Sequence, residues 1–293
     1  LGPGRISMSP TPQSRLVLLF SSRTNSGPLE TNPTMHPILI DFGFFQLPSY
    51  GVLLAAAVVV ALWTLRLRAN LAGMDGTRLV DFGLWLVIWA LLGAKLLLVL
   101  VELPRYLRDP ASIIGTIRAG GVFLGGFLAA VIAAVILLRR YKLPTLPSFD
   151  VLSPSLALGH AIGRIGCLLA GCCWGAACDL PWAITYTSPV AAENLGTPLH
   201  QHLHHFPVYS SLFNFGLYVV LAAYYRRHPA AGRVFATYLL LYGVGRFFLE
   251  LTRGDAIRGF VLGGALSTSQ LISIALVIIG VGLHLWIGRR KAA

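Results

Sequence analysis

Two clusters of polar residues lie inside hydrophobic segments that are long enough to cross a lipid bilayer. In the first cluster, His160, Arg164 and Cys167 recur at helical spacing, so a helix would place them on one face. Gly171 extends this face by one more turn. Inserting an arginine at that depth costs about 3 kcal/mol on insertion scales. We therefore interpret this face as one wall of a polar pocket inside a membrane protein.

The second cluster consists of Tyr242, Arg246, Glu250 and Arg253, which are spaced to share one helical face. An ion pair between Arg246 and Glu250 would lower the cost of burying both charges. One interpretation is that this pair only locks two helices together. The other is that Arg164 and Arg246 form a bidentate clamp for a phosphate or carboxylate, with an anionic lipid headgroup as the natural ligand.

The composition indicates a membrane protein. Of 293 residues, 56% are hydrophobic and only 12% are charged, whereas soluble domains are about 25% charged. The formal net charge is +12, which we attribute to basic loops at the cytoplasmic face rather than to a nucleic-acid partner.

The hydropathy pattern predicts an all-α, polytopic membrane protein with seven transmembrane helices. Each segment is close to the ~20 residues that a bilayer requires. We expect residues 1–34 to be disordered or an upstream extension, and residues 35–293 to form the seven-helix domain. The predicted spans are about 48–66, 82–103, 115–138, 151–173, 207–225, 233–252 and 266–287.

The distribution of lysine and arginine predicts the orientation. Twelve of these residues fall in the loops after spans one, three and five and in the C-terminal tail, whereas the opposite loops hold four. The positive-inside rule then places the N-terminus outside and the C-terminus in the cytoplasm.

Several other motifs have competing interpretations. Lys95 is either a third buried cation or a lysine that extends to the interface. The glycine-rich run 120–126 resembles a phosphate-binding loop, but helix packing is the simpler interpretation inside an apolar span. The spacing of Cys172, Cys173 and Cys178 matches no ordinary zinc motif, so we expect no metal there. We interpret the histidines of 200–205 as part of a solvated loop.

Taken together, these motifs resemble the prolipoprotein diacylglyceryl transferase family. The resemblance runs from Met35 to the C-terminus. The residues that carry it are His36-Pro37, Ser49-Tyr50-Gly51, Gly120-Gly121 with Gly125-Gly126, Gly163-Arg164-Ile165-Gly166 with Gly171 and Trp174-Gly175, and Tyr242-Gly243 with Arg246, Glu250 and Arg253.

The resemblance implies an enzyme of the bacterial plasma (inner) membrane that begins lipoprotein maturation. Such an enzyme moves the diacylglyceryl group of phosphatidylglycerol to the lipobox cysteine of a prolipoprotein signal peptide, and glycerol-1-phosphate leaves. Its partners are therefore that lipid, that peptide and the surrounding membrane lipid, and no cofactor is implied. By resemblance Arg164 and Arg246 are catalytic. His160, one turn before Arg164, is interpreted either as a substitute base or as a core histidine. The implied substrate-binding residues are Tyr50, Tyr242, Glu250, Arg253, Gly125, Gly126, Gly163 and Gly166.

The sequence also departs from the family pattern. Leu124 stands where many members carry a histidine that is proposed to act in catalysis, and Cys167 and Cys172 stand where many carry asparagine and glutamate. These departures leave open a lipid-binding homologue with impaired catalysis. The buried arginines leave open a second alternative, a transporter for an anionic solute whose pathway they line.

Overall fold

Seven long apolar helices make up most of the structure, a computed structural model that describes residues 35–42, 46–110, 113, 120–255, 259–261 and 264–292. Within the described residues, two shorter α-helices lie in the loops. In chain order the helices are α1 (Ser49–Leu71), α2 (Gly76–Val101), α3 (Leu103–Arg108), α4 (Phe123–Arg140), α5 (Thr145–Ala170), α6 (Pro189–Leu195), α7 (Phe206–Tyr225), α8 (Arg233–Leu249) and α9 (Thr268–Ala292).

The seven predicted spans are confirmed as α1, α2, α4, α5, α7, α8 and α9, but some of their boundaries were wrong. Helix α4 begins only at Phe123, because Val122 precedes it in an extended conformation and donates its N–H to the carbonyl of Ala94. Helix α5 begins earlier than predicted, directly after Pro144, and ends at Ala170 instead of residue 173. Residues 1–34, predicted to be disordered or an extension, lie outside the described residues.

The end of α5 has a clear local cause. Gly171 adopts the left-handed conformation with φ 75°, which costs a glycine little. The N–H groups of Gly171 and Cys172 then bond back to the carbonyls of Leu168 and Cys167, which is a Schellman motif. The predicted helical face therefore holds for His160, Arg164 and Cys167 but not for Gly171.

The described residues also form three two-stranded antiparallel sheets that were not predicted, one before α1 and two in connections between helices. They pair β1 (Ile38–Asp41) with β2 (Gln46–Pro48), β3 (Ile184–Thr185) with β4 (His202–Leu203), and β5 (Phe260–Val261) with β6 (Leu266–Ser267). The last two sheets follow the C-termini of α5 and α8 and precede the N-termini of α7 and α9. We call this end of the bundle the strand end.

Helix α5 is the central element, because it packs against α1, α7 and α8. The other close pairs are α2 with α4 and α8 with α9. Many large apolar side chains remain exposed on the outside of the bundle, including Leu96, Ile132 and Ile278. Such a surface is suited to lipid rather than to water.

A buried carboxylate fixes α8 relative to α5 at the end opposite the strands. Asp150 of α5 accepts hydrogen bonds from the backbone N–H groups of Gly232 at 2.6 Å and Phe235 at 2.7 Å. These are unpaired donors of the first turn of α8, where the helix dipole also favours a negative charge. Because both helices continue from this contact to the strand end, it helps to set the relative position of Arg164 and Arg246.

Candidate active site

Three arginines surround one aromatic ring at the strand end. The guanidinium carbons of Arg164, Arg246 and Arg253 lie 5.6, 5.6 and 5.3 Å from the ring centroid of Phe206. Phe206 is fully buried at the first position of α7, where the loop from α5 enters the bundle. Because they share this ring, the carbons of Arg164 and Arg246 are at most about 11.2 Å apart. The two predicted arginines therefore lie beside the same aromatic ring at the strand end. That they line one cavity stays a prediction.

Arg246 is the most constrained of the three. Its Nη2 pairs with a carboxylate oxygen of Glu250 at 2.5 Å and donates to the hydroxyl of Ser269 at 3.1 Å. Both charged residues are buried, with 8% of Arg246 and 3% of Glu250 exposed. Nη1 of Arg246 is also buried, and within the described ranges no acceptor lies against it. A buried guanidinium donor without an acceptor is costly, which favours an anionic ligand at this position.

Arg253 lies just beyond the end of α8, in an ion pair of its own. Its Nε and Nη2 donate to the two carboxylate oxygens of Asp255 at 2.6 and 2.9 Å. Burial alone would disfavour the charge, but the bonds to Asp255 and nearby negative groups raise the pKa of Arg253 above its usual value. Arg253 therefore stays charged, and its geometry is fixed by Asp255.

Arg164 differs from the other two because no carboxylate pairs with it among the residues that the structure describes. Its Nε donates to Nε2 of His160, one turn earlier on α5, at 3.2 Å. In this arrangement His160 accepts from a cation and is neutral at Nε2. This geometry suits His160 as a positioning residue for Arg164, and its role as a base stays an untested prediction.

Two tyrosines flank the arginines. The Tyr242 ring packs against that of His160 with centroids 5.7 Å apart and stacks on Tyr238 at 5.6 Å. Tyr50, in the first turn of α1, is 41% exposed and approaches α5 at Gly166. Both predicted tyrosines thus lie next to α5 at the strand end.

The predicted glycines fall into two groups. A side chain added at Gly163 would meet no atom within 4 Å, so this face of α5 next to Arg164 is open. Gly166, in contrast, allows α1 to approach α5 at Leu53 and Tyr50. Gly125 and Gly126 pack against the backbone carbonyls of α2, as the helix-packing interpretation predicted. A substrate-binding role for these last two glycines has no geometric support here and stays untested.

The loop after α5 is held between two other chain segments. Ala176 donates its N–H to the carbonyl of Thr252 at 2.9 Å, and Gly254 donates to the carbonyl of Trp174 at 3.1 Å. On the other side, His204 donates to the carbonyl of Ala176 at 2.9 Å. This cross-linking fixes Phe206 and Arg253 relative to α5. Gly175 lies outside the helix, where its missing side chain allows the backbone to approach His204 closely.

A lateral opening reaches Arg164 between α5 and α7. The cavity there measures about 100 Å³, and its lining includes Arg164, Ile165, Leu168 and Pro207. Ile165 is 43% exposed, and Leu212, also in the lining, is 66% exposed. Because this cavity is lined almost entirely by apolar atoms, it is suited to an acyl chain that lies beside Arg164.

Sequence reasoning missed part of the site. Phe206 had no recognisable signal, because an apolar residue before a predicted span is ordinary. Asp255 follows the second arginine motif by two residues and could have been found as a partner for Arg253. The grouping of the three cysteines Cys167, Cys172 and Cys173 was also missed, although their sulfur atoms lie within 4.8 Å of one another.

Other polar candidates are not part of this arrangement. Lys95 is on α2, which packs against α1 and α4, whereas the arginines come from α5, α8 and the segment after α8. In the part of the chain that the structure describes, the histidines of 200–205 form no group of three metal-ligating residues. His205 occupies the N-cap position of α7 without a capping hydrogen bond from its side chain, and burial lowers the pKa of its imidazole.

Comparison with known proteins gives a consistent result. A family model described as prolipoprotein diacylglyceryl transferase matches residues 37–286. The phosphatidylglycerol–prolipoprotein diacylglyceryl transferase of Clostridium tetani is 35% identical over 248 residues, which cover 84% of this chain and 96% of the relative. A second such transferase, from Clostridium perfringens, is 32% identical with coverage of 85% and 94%. The relative from Synechocystis is 30% identical with coverage of 86% and 89%.

Proposed function

The chain belongs to the prolipoprotein diacylglyceryl transferase family, and from this premise we propose that it transfers the diacylglyceryl group of phosphatidylglycerol to a cysteine thiol of a prolipoprotein. The main structural support is the group of three guanidiniums around Phe206, of which Arg164 is not paired with a carboxylate of the described chain. Such a group is suited to a phosphate at membrane depth.

The reaction exchanges one bond for another at the glyceryl carbon. The thiol sulfur attacks the carbon attached to the phosphate oxygen, a C–S bond forms, and the C–O bond breaks. Glycerol-1-phosphate leaves with the electron pair, and the thiol loses a proton. Arg164 and Arg246 stabilise the charge that develops on the leaving phosphate, in a site where burial strengthens the interaction.

The remaining residues position these groups. Tyr50 and Tyr242 flank the headgroup on the two sides of α5, while Glu250 orients Arg246. Asp255 orients Arg253 in the same way. Gly163 leaves room for substrate next to Arg164, because an added side chain there would point into open space.

The opening between α5 and α7 gives phosphatidylglycerol a lateral route from the bilayer. The second substrate is the lipobox segment of a signal peptide, which reaches the same site from the membrane. We place the protein in the bacterial plasma membrane with its strand end outside. The support for this orientation is the excess of lysine and arginine in the loops and tail at the opposite end.

The test is a reconstituted transfer reaction. Purified protein is incubated with phosphatidylglycerol and a lipobox peptide, and mass spectrometry detects the thioether-linked product. We expect product from the wild type and none from Arg164→Ala or Arg246→Ala. Arg68→Ala is the matched control, since Arg68 is a partly buried arginine that contacts Ser155, outside the Phe206 group. It should retain activity.

The same experiment separates the alternatives. Binding of phosphatidylglycerol without product, under conditions in which a relative is active, would overturn the transferase assignment and favour a lipid-binding homologue. Uptake of an anionic solute into proteoliposomes without product would favour a transporter. The grouping of all three arginines at one end, rather than along a path across the membrane, supports the transferase.

A further inference from the structure

Three cysteine thiols lie together beside the arginines, and the proposed reaction leaves them without a role. Cys167 is in the last turn of α5, and the Schellman turn at Gly171 reverses the chain so that Cys172 and Cys173 fold back over it. Cys173 has φ 57°, a left-handed conformation that is unusual for a residue with a side chain. The backbone therefore accepts strain where the third thiol joins the other two.

The geometry of the three sulfurs is close to that of a metal site. Their Sγ atoms lie within 4.8 Å of one another. In a tetrahedral zinc site with Zn–S bonds of about 2.3 Å, the sulfurs are roughly 3.8 Å apart, so a contraction of at most about 1 Å is needed. Soft thiolates are the ligands that favour Zn²⁺. Catalytic zinc sites use three protein ligands and keep a fourth position open.

The charges of the neighbouring arginines also fit a negatively charged metal–thiolate group. Three thiolates and one Zn²⁺ carry a net charge of −1. Cys167 lies three residues after Arg164 on α5, so the two side chains share one helical face, and Arg164 has no carboxylate partner in the described ranges. Cys173 precedes Trp174, whose carbonyl accepts a hydrogen bond from Gly254, the residue after Arg253. A neutral trio of thiols would give Arg164 no counter-charge, whereas an anionic metal–thiolate group would.

We propose that Cys167, Cys172 and Cys173 bind a Zn²⁺ ion, and that the fourth coordination position takes the thiol of the peptide substrate. The second half of this statement rests on the proposed transferase function. It accounts for a gap in that function, because Leu124 cannot accept a proton and His160 accepts a hydrogen bond from Arg164. Metal coordination deprotonates a thiol directly, so no basic side chain is required.

The step balances as follows. The peptide thiol binds through sulfur and releases its proton to solvent. The coordinated thiolate sulfur attacks the glyceryl carbon, the C–S bond forms, and the C–O bond to the phosphate breaks with its electron pair on the leaving oxygen. No oxidation or reduction occurs in this step. A disulfide within the cluster would remove two of the three thiolate ligands and would therefore block it.

The first test measures metal binding and does not depend on activity. Full-length protein is purified in detergent under reducing conditions, incubated with Zn²⁺ and desalted, and bound metal is measured by mass spectrometry. We expect one Zn²⁺ per chain in the wild type and loss of binding in Cys167→Ser and Cys173→Ser. Cys178→Ser is the matched control, because this cysteine lies outside the cluster, and it should keep the metal.

Replacement by Co²⁺ provides the second measurement, since cobalt–thiolate absorption reports the ligands directly. A lipobox peptide should change the spectrum, and the same peptide with serine in place of cysteine should not. Unchanged metal content in both cysteine variants, no binding by the wild type, or a disulfide among these three residues in the active protein would overturn the metal site.

The third test concerns catalysis. At pH 7 a free thiol with pKa about 8.5 is only about 3% ionised, so full ionisation gains up to about 30-fold. A metal-bound thiolate is less nucleophilic, so we expect chelation to lower the transfer rate about tenfold and Zn²⁺ to restore it. An unchanged rate after metal removal would overturn the thiol-activating role alone. One Zn²⁺ per chain with no product under any condition would instead overturn the transferase function and leave the metal site standing.

Discussion

The pairing of Arg246 with Glu250 allows the structural and catalytic roles of a buried arginine to be separated. Arg246→Gln removes the charge but keeps a polar, although shorter, side chain. The side chains of Arg246 and Glu250 are 10% and 2% exposed, so the substitution leaves a carboxylate buried without its cation. Breaking a buried pair in this way costs about 3–5 kcal/mol. We expect the free energy of unfolding in mixed micelles to fall by about 3 kcal/mol.

The double substitution Arg246→Gln with Glu250→Gln should behave differently. Two neutral amides in contact leave no buried charge, so the free energy of unfolding should return to within about 1 kcal/mol of the wild type. Activity should not return. If Arg246 stabilises the leaving phosphate, its loss costs about 10²–10³-fold in rate per folded molecule, by analogy with the removal of one oxyanion-hole donor. Both variants should show this loss in the phosphatidylglycerol and peptide assay.

Arg68→Gln is the control for the Arg246 and Glu250 variants. Arg68→Gln removes a partly buried arginine that donates to Ser155 at 2.9 Å, and it should change stability without changing the rate per folded molecule. If the double variant regains both stability and transfer activity, Arg246 and Glu250 only lock the helices together. The phosphate-clamp argument would then be wrong.

Three further predictions address other parts of the site. Phe206→Leu removes the ring that three guanidiniums share, and because each desolvated contact is worth up to about 2 kcal/mol, we expect at least a tenfold loss of transfer rate, measured per folded molecule. Gly125→Ala introduces a methyl group against the backbone of α2, so the free energy of unfolding should fall by about 1–3 kcal/mol. The transfer rate per folded molecule should not change. A selective loss of rate would support the substrate-binding prediction. Cysteine labelling tests the orientation with the strand end outside. In a Cys178→Ser background, Asp179→Cys should react with a membrane-impermeant thiol reagent on intact cells, whereas Lys142→Cys should react only after permeabilisation. The reverse pattern would refute this orientation.

The sequence predicts the bundle well because each element of that prediction is local. Runs of about 20 apolar residues suffice to define seven spans, and the spacing of Arg164 on α5 and Arg246 on α8 suffices to place each on one face of its helix. That these faces meet depends on helix packing, which the composition does not encode. The prediction that they do so came from the cost of leaving two buried cations without partners.

What could not be predicted depends on turns and on distant segments. The end of α5 at Ala170 requires Gly171 to be left-handed, which hydropathy does not reveal, so the helix was extended to residue 173. This error concealed the cysteine cluster, because on a continued helix Cys167, Cys172 and Cys173 would point in different directions. Phe206 was missed for a similar reason, since its three partners come from parts of the chain that meet only in the folded structure.

The charges of the site explain why arginines suit this reaction better than a single base would. Without the proposed metal–thiolate group, three guanidiniums face two carboxylates among the described residues, Glu250 and Asp255, so one positive charge, on Arg164, has no carboxylate partner. In the proposed reaction phosphatidylglycerol brings a phosphodiester with one negative charge, and the leaving glycerol-1-phosphate acquires a second. The buried Nη1 of Arg246, with no acceptor among the described residues, is available for the charge that appears only as the C–O bond breaks. An interaction that strengthens along the reaction lowers the barrier, whereas one that is equally strong throughout only tightens binding.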